Sequence, residues 1–188
     1  MKTEIIKDFN VAIEQLQNHR VIALPAEACF GLSALPSNDT VNQILMLKGR
    51  LQSKGLILVG HQLEVFKDWI DDSQLTDEHQ KKLNAKYDKP TTWIVPSKVS
   101  VPKYITGNFN SIAIRITKHP VLAYLSKTLN SVLISTSANL QGQPPAITVD
   151  EVLKYFEDKI SGVFDAQIGS AQSPSQIIDL ISNEVIRR

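Results

Sequence analysis

Apolar positions along the chain change period several times, and each change marks an element. Ile5, Phe9, Ala12, Ile13 and Leu16 recur at three- and four-residue spacing, which predicts an amphipathic first helix. Val21 to Leu24 is a short apolar run stopped by Pro25, the pattern of a buried strand, and Cys29 to Leu35 is a second such run after a brief turn. Asn38 and Asp39 are helix-capping residues, and a helix is expected from there to about Lys48 with Val41, Ile44, Leu45 and Leu47 inward. Leu56 to Val59 reads as a strand, Leu63 to Trp69 as a helix, and Thr76 to Tyr87 as a polar helix. Strands are expected at Thr91 to Val95 and Ile112 to Ile116, with no helix between them. His119 to Leu129 then reads as helix and Val132 to Ser135 as strand. Thr148 and Glu151 have the spacing of a capping box for a helix to about Phe156, and strands near Gly162 to Phe164 and Gln176 to Leu180 follow. The alternation argues for an α/β fold, an open twisted sheet of mixed direction covered by helices, as one domain over residues 1–188.

Composition narrows the class. Of 188 residues, 43% are apolar, enough for an ordinary core, and 21% are charged, with a net charge of +1. So balanced a chain gives no whole-molecule argument for nucleic-acid binding. The single cysteine, Cys29, has no internal disulfide partner, which fits a reducing compartment. The N-terminus lacks the apolar core of a signal peptide, and no run approaches the roughly 20 apolar residues that span a bilayer. The expectation is a cytoplasmic protein with no membrane partner.

Three stretches carry more polar and special residues than packing requires. In Pro25 to Leu32, Glu27 is a carboxylate between two buried runs, and such a charge needs a partner or a ligand unless it sits on an exposed turn. Lys48-Gly49-Arg50-Leu51-Gln52-Ser53-Lys54-Gly55 packs three cations and two glycines into eight residues without an acid. Such a loop suits a polyphosphate, with arginine as a planar fork and lysine as a mobile point charge. The same cations also suit a plain helix C-terminus. No G-x-x-x-x-G-K-S/T phosphate loop is present. Ser135-Thr136-Ser137-Ala138-Asn139 follows a strand, where open α/β sheets place ligands, although local side-chain hydrogen bonds in a turn explain it equally. Arg115 adds a fourth feature, a cation inside the alternating strand Ser111 to Ile116 that must meet an anion, either a substrate carboxylate or Glu27, unless it faces outward. His19, His61, His79 and His119 stand singly and read as surface or cap residues. Cys29 reads as a small core residue, and Lys81, Lys82, Lys86 and Lys89 as a solvated helix face. No metal-ligand spacing is found.

At these same stretches the chain resembles the YrdC/TsaC family in its short form. Pro25 to Leu32 is similar to the family's P-T-E-x-x-F/Y-G-L segment, Lys48-Gly49-Arg50 to its K-x-R element, and Ser137-Ala138-Asn139 to S-x-N within S-T-S-A-N. Ile114-Arg115-Ile116 with His119-Pro120, and Pro174-Ser175-Gln176-Ile177-Ile178-Asp179, resemble two further family segments in the same order. The resemblance implies synthesis of threonylcarbamoyl-adenylate and pyrophosphate from L-threonine, bicarbonate or carbon dioxide and ATP, for later transfer to tRNA by a partner complex. It also implies Lys48, Arg50, Ser137 and Asn139 as catalytic groups, with Lys54, Ser135 and Ser175 joining them around the nucleotide. Arg115, Glu27 and Thr92 would serve the threonine, and magnesium is expected with the ATP. The chain departs from the pattern at Ala26, where the family has threonine, at Leu51, where it has proline, and at Asp88-Lys89-Pro90-Thr91-Thr92. Two other readings stay open on the residues: an RNA-binding YrdC-type protein without synthase activity, and a paralogue making another carbamoyl-adenylate.

Overall fold

The computed structural model describes residues 2–187, the Gln52 side chain aside. In chain order its elements are β1 (Glu4–Ile6), α1 (Phe9–Gln17), β2 (Ile22–Pro25), β3 (Phe30–Ala34), α2 (Asn38–Lys48), β4 (Ile57–Gly60), α3 (Asp77–Asn84), β5 (Thr91–Pro96), α4 (Lys103–Thr106), β6 (Ser111–Ile116), α5 (Pro120–Leu129), β7 (Leu133–Ser137), α6 (Val149–Phe156), β8 (Gly162–Phe164), β9 (Gln176–Asp179) and β10 (Val185–Arg187). The strands join one sheet in the order β1-β8-β2-β3-β7-β4-β6-β5-β9-β10. Pairing is parallel in β1–β8, β2–β8, β4–β6 and β5–β9 and antiparallel elsewhere, so the expected mixed sheet with covering helices is what forms.

Several boundaries differ from expectation, each for a local reason. Ile5 lies in β1 beside β8, because Asp8 caps α1 by accepting from the Asn10 N–H and so starts the helix later. Ser37, rather than Asn38, caps α2, in a reciprocal pair with Thr40. Leu63–Phe66 forms only a short 3-10 turn, α3 stops at Asn84, and a single helical turn, α4, interrupts the stretch between β5 and β6. The Thr148–Glu151 capping box forms as predicted.

Strand alternation divides the core. Ile22, Leu24, Val59, Leu133 and Phe164 face α1 and α5, meeting Ala12, Leu16, Val121, Leu122 and Leu125. On the reverse face Ala23, Leu32, Leu58, Ile114, Ile134 and Val163 pack with Val41, Ile44 and Leu45 of α2 and Val152 and Phe156 of α6. Each Val, Leu, Ile or Phe buried in this way leaves water at a gain of about 1.5–3 kcal/mol, which is what holds helices to both faces.

Helices α1 and α5 cover only part of their face. Beyond them, the positions that share that face are mostly small or polar: Gly31 beside Ser137, Ile57 beside Ala113, Ile94 beside both Ala113 and Asp179, and Arg115. This part of the sheet is the floor of a cleft. Among the described residues no helix is long and apolar enough to cross a membrane.

Candidate active site

The cleft measures about 950 Å³, within the range of small-molecule sites. Its first wall is built by the end of α2. Gly49, in the left-handed conformation, closes the helix, with N–H groups of Gly49 and Arg50 returning to the carbonyls of Met46 and Leu45. That reversal leaves Lys48 and Arg50 on the same cleft. The Arg50 guanidinium donates to Gly55 O (2.8 Å) and Lys54 O (3.4 Å), which shapes the following loop, and Lys54 also borders the cleft.

The second wall is the end of β7. Lys48 Nζ donates to Ser137 O, to Asn139 O (3.1 Å) and to Asn139 Oδ1 (2.9 Å). The Ser137 hydroxyl donates to the same Oδ1 (2.7 Å), and Asn139 Nδ2 donates to Gln143 O (2.7 Å). The two stretches singled out in the sequence, 89 to 91 positions apart, therefore make one hydrogen-bonded unit. Burial, and then the neighbouring Arg50 charge, lower the Lys48 pKa to about 8. Burial likewise lowers that of Arg50. Ser135 is buried beside Ser137 on the cleft lining.

At the far end Arg115 meets Glu27, Nη2 to Oε2 at 3.3 Å, with both side chains largely buried. Glu27 Oε1 accepts from the Thr117 hydroxyl (2.6 Å) and the Lys118 N–H (3.3 Å). Burial alone would raise the Glu27 pKa, but the Arg115 charge, Thr117 and the backbone donors outweigh it and leave the carboxyl below its ordinary value. Segment 169–171 straps Glu27 from behind, Gly169 N–H to Ala26 O (2.8 Å) and Ala171 N–H to Glu27 O (3.0 Å). A Cβ on Gly169 would come 2.7 Å from Glu27 O, so only glycine allows this approach.

Ser175 borders the cleft, and its hydroxyl lies 2.7 Å from that of Thr92. Thr92 itself is fully buried behind Ser175 and is not part of the cleft lining. Two further residues, Arg187 and Cys29, line the cleft without having been singled out for it in the sequence. Arg187 grips Ser175, with Nε and Nη2 donating to Ser175 O (3.0 and 2.6 Å) and Nη2 reaching Ser175 Oγ (3.2 Å). Arg187 carries no motif signal in the sequence, and its pairing with β9 is what brings it to the cleft. Cys29, expected in the core, is half-buried on the cleft wall, because it belongs to the β2–β3 turn rather than to the strand. Burial raises its thiol pKa, and the Arg115 and Lys48 charges pull it back. His119, expected as a surface or cap residue, is the N-cap residue of α5 but is buried away from the cleft lining, with Nε2 against Gln167 O (3.1 Å), and burial lowers its pKa.

The cleft lining thus carries Lys48, Arg50, Lys54, Arg115 and Arg187 against two acids, Glu27 and Asp179. Both acids are engaged: Glu27 by Arg115 and Thr117, and Asp179 by the N–H groups of Ile181 and Ser182 (3.0 and 2.9 Å). The surplus charge and the neutral donors suit a polyanion carrying a carboxylate. Among the described residues no three His, Cys, Asp or Glu side chains gather around a common point, so the donors do not fit a protein-held divalent ion.

These features define an α/β protein with an open mixed sheet and a cation-rich cleft over one part of it. The chain belongs to the Sua5/YciO/YrdC family: that family's model, described as telomere recombination, matches residues 14–188. Among its curated relatives is the threonylcarbamoyl-AMP synthase of Mannheimia succiniciproducens, 45% identical over 177 residues that cover 94% of this chain and 96% of the relative. The fold matches that of P. abyssi Sua5 complexed with L-threonine, at TM-score 0.85 and 22% identity, over 95% of this chain and 54% of that one. The chain thus spans about half the length of that Sua5. It also matches E. coli YciO, at TM-score 0.81 and 19% identity, over 99% and 94% of the two chains. At such identities the two structures speak for the fold alone.

Proposed function

We propose that this protein is a threonylcarbamoyl-AMP synthase. Threonine's amine captures carbon dioxide as a carbamate with loss of a proton. A carbamate oxygen then attacks the α-phosphorus of ATP, and pyrophosphate leaves. The relatives' name supports this reading over an RNA-binding protein. The observation that carries it here is the union of Lys48 with Ser137 and Asn139 in one cleft with Arg50 and Arg115. In-line phosphoryl chemistry needs positioning and charge stabilisation more than a side-chain nucleophile.

In this reading Lys48, Arg50 and Lys54 hold the phosphates. Ser135, Ser137 and Asn139 orient the reacting adenylyl group by hydrogen bonds. Arg115, steadied by Glu27, takes the threonine carboxylate through a planar two-point contact. Ser175, which the resemblance put around the nucleotide, lies beside Thr92 and is assigned here to the threonine end, with Thr92 as the buried support of its hydroxyl and Arg187 as the clamp on its backbone. Magnesium enters as part of the ATP chelate. The product then passes to the complex that modifies tRNA.

The test is incubation of the protein with ATP, bicarbonate and labelled threonine. Labelled threonylcarbamoyl-adenylate and stoichiometric pyrophosphate are expected, and Lys48→Ala, Arg50→Ala or Asn139→Ala removes both. Pyrophosphate release that does not depend on threonine overturns the assignment.

A further inference from the structure

Three of the most exposed apolar side chains border the charged cleft: Leu51 (75% exposed), Phe109 (54%) and Ile186 (57%). They come from three separate segments, the loop after α2, the loop before β6, and β10. Apolar exposure gathered around a polar cavity marks a surface that receives an apolar part of a ligand. The cations of the cleft leave the planar part of a nucleotide without a partner.

The loop carrying Phe109 is firmly held although its ring is free. Asn108 N–H donates to Ser53 O (3.2 Å), Phe109 N–H to Thr106 O (3.4 Å), and Lys103 Nζ to Phe109 O (3.1 Å). Gly107 (φ 63°) lets this loop lie against Ser53–Gly55, where a Cβ would meet Ser53 O at 2.5 Å. Gly55 O is in turn the acceptor of the Arg50 guanidinium. A continuous chain of contacts therefore fixes the Phe109 backbone against the loop that carries Arg50, and Leu51 extends from that same loop.

We propose that Phe109 is the stacking platform for the nucleobase, with Leu51 and Ile186 closing over its edges. The inference rests on the reading of the cleft as an ATP site. It adds a base subsite made of apolar faces, which contribute affinity through ring contact and select weakly among bases.

Calorimetric titration of the full chain with ATP and with inorganic tripolyphosphate tests it. Phe109→Ala, at an exposed position, is expected to weaken ATP about ten- to a hundredfold and to leave tripolyphosphate unchanged. Phe109→Trp is expected to retain ATP affinity and to show a fluorescence quench with ATP that tripolyphosphate does not produce. Equal losses for both ligands, or no loss for either, overturn the stacking role and reassign the apolar rim to contact with another macromolecule. Wild-type binding and product formation report separately on the ATP reading, so its failure is distinguishable from that of the subsite.

Discussion

The ammonium of Lys48 stands 2.9 Å from the carboxamide oxygen of Asn139, although 91 positions separate them. All three of its N–H donors are engaged within the protein, on Ser137 O and on both oxygens of Asn139. A bound phosphate must therefore exchange places with, or bridge, groups that already orient the lysine. The grip is assembled before its ligand arrives.

Because the Lys48 pKa is about 8, ATP affinity is expected to fall as pH rises past that value. The phosphate-bound lysine holds its proton more tightly, so binding takes up a proton, and the loss approaches tenfold per pH unit above 8. Titration calorimetry in buffers of differing ionisation enthalpy measures the uptake. Lys48→Arg, charged throughout that range, should show a flat profile.

Replacing Arg115 by alanine leaves Glu27 buried without its cation. A loss of about 3 kcal/mol in denaturant unfolding is expected, and Glu27→Gln in the same background should recover part of it. The threonine KM is expected to rise more than the ATP KM in both variants.

Glu27 also carries an acid-stability signature. Its folded pKa lies below its ordinary value of 4.5, so its contribution is present above that pH and is lost as pH falls through the folded value. Glu27→Gln should flatten this part of the stability curve, as measured by thermal melts between pH 3 and 6.

Gly169→Ala pushes a methyl group to 2.7 Å from Glu27 O and must move the strap or the carboxylate turn. A cost of about 1–3 kcal/mol in stability is expected, read by chemical unfolding. Kinetically the threonine KM should rise, while ATP affinity stays within twofold.

Arg187→Ala frees the Ser175 backbone carbonyl of its bidentate donor. Catalytic efficiency toward threonine is expected to drop about tenfold, and Arg187→Lys should not restore it, because a single ammonium cannot reproduce the fork. Steady-state kinetics on both variants decide the point.

How much of this was readable beforehand depends on the type of signal. The strands at Ile22, Ile57, Trp93, Ile114 and Leu133 announce themselves as short stretches rich in aliphatic, β-branched and aromatic residues, side chains that pack well on a pleated surface. β1 was absorbed into the first helix, since Ile5 sits four residues before Phe9 and satisfies helical spacing by coincidence. The Lys48, Arg50, Ser137 and Asn139 set was legible as unusual residue clusters, but nothing in their spacing states that α2 and β7 end at the same place. Cys29 sits in an apolar run that looks like core, and Arg187 carries no motif signal; only the β2–β3 turn and the pairing of β10 with β9 bring them to the cleft wall.

β7 lies at the centre of the sheet and sends Leu133 under α5 while its next two alternate residues, Ser135 and Ser137, open onto the cleft. A one-residue slip of this strand would bring Ile134 and Thr136 into the ligand's space and strand two serines in oil. Misthreaded molecules would thus be blind to ATP as well as unstable, so nucleotide binding itself discriminates correctly threaded chains from their near-native impostors.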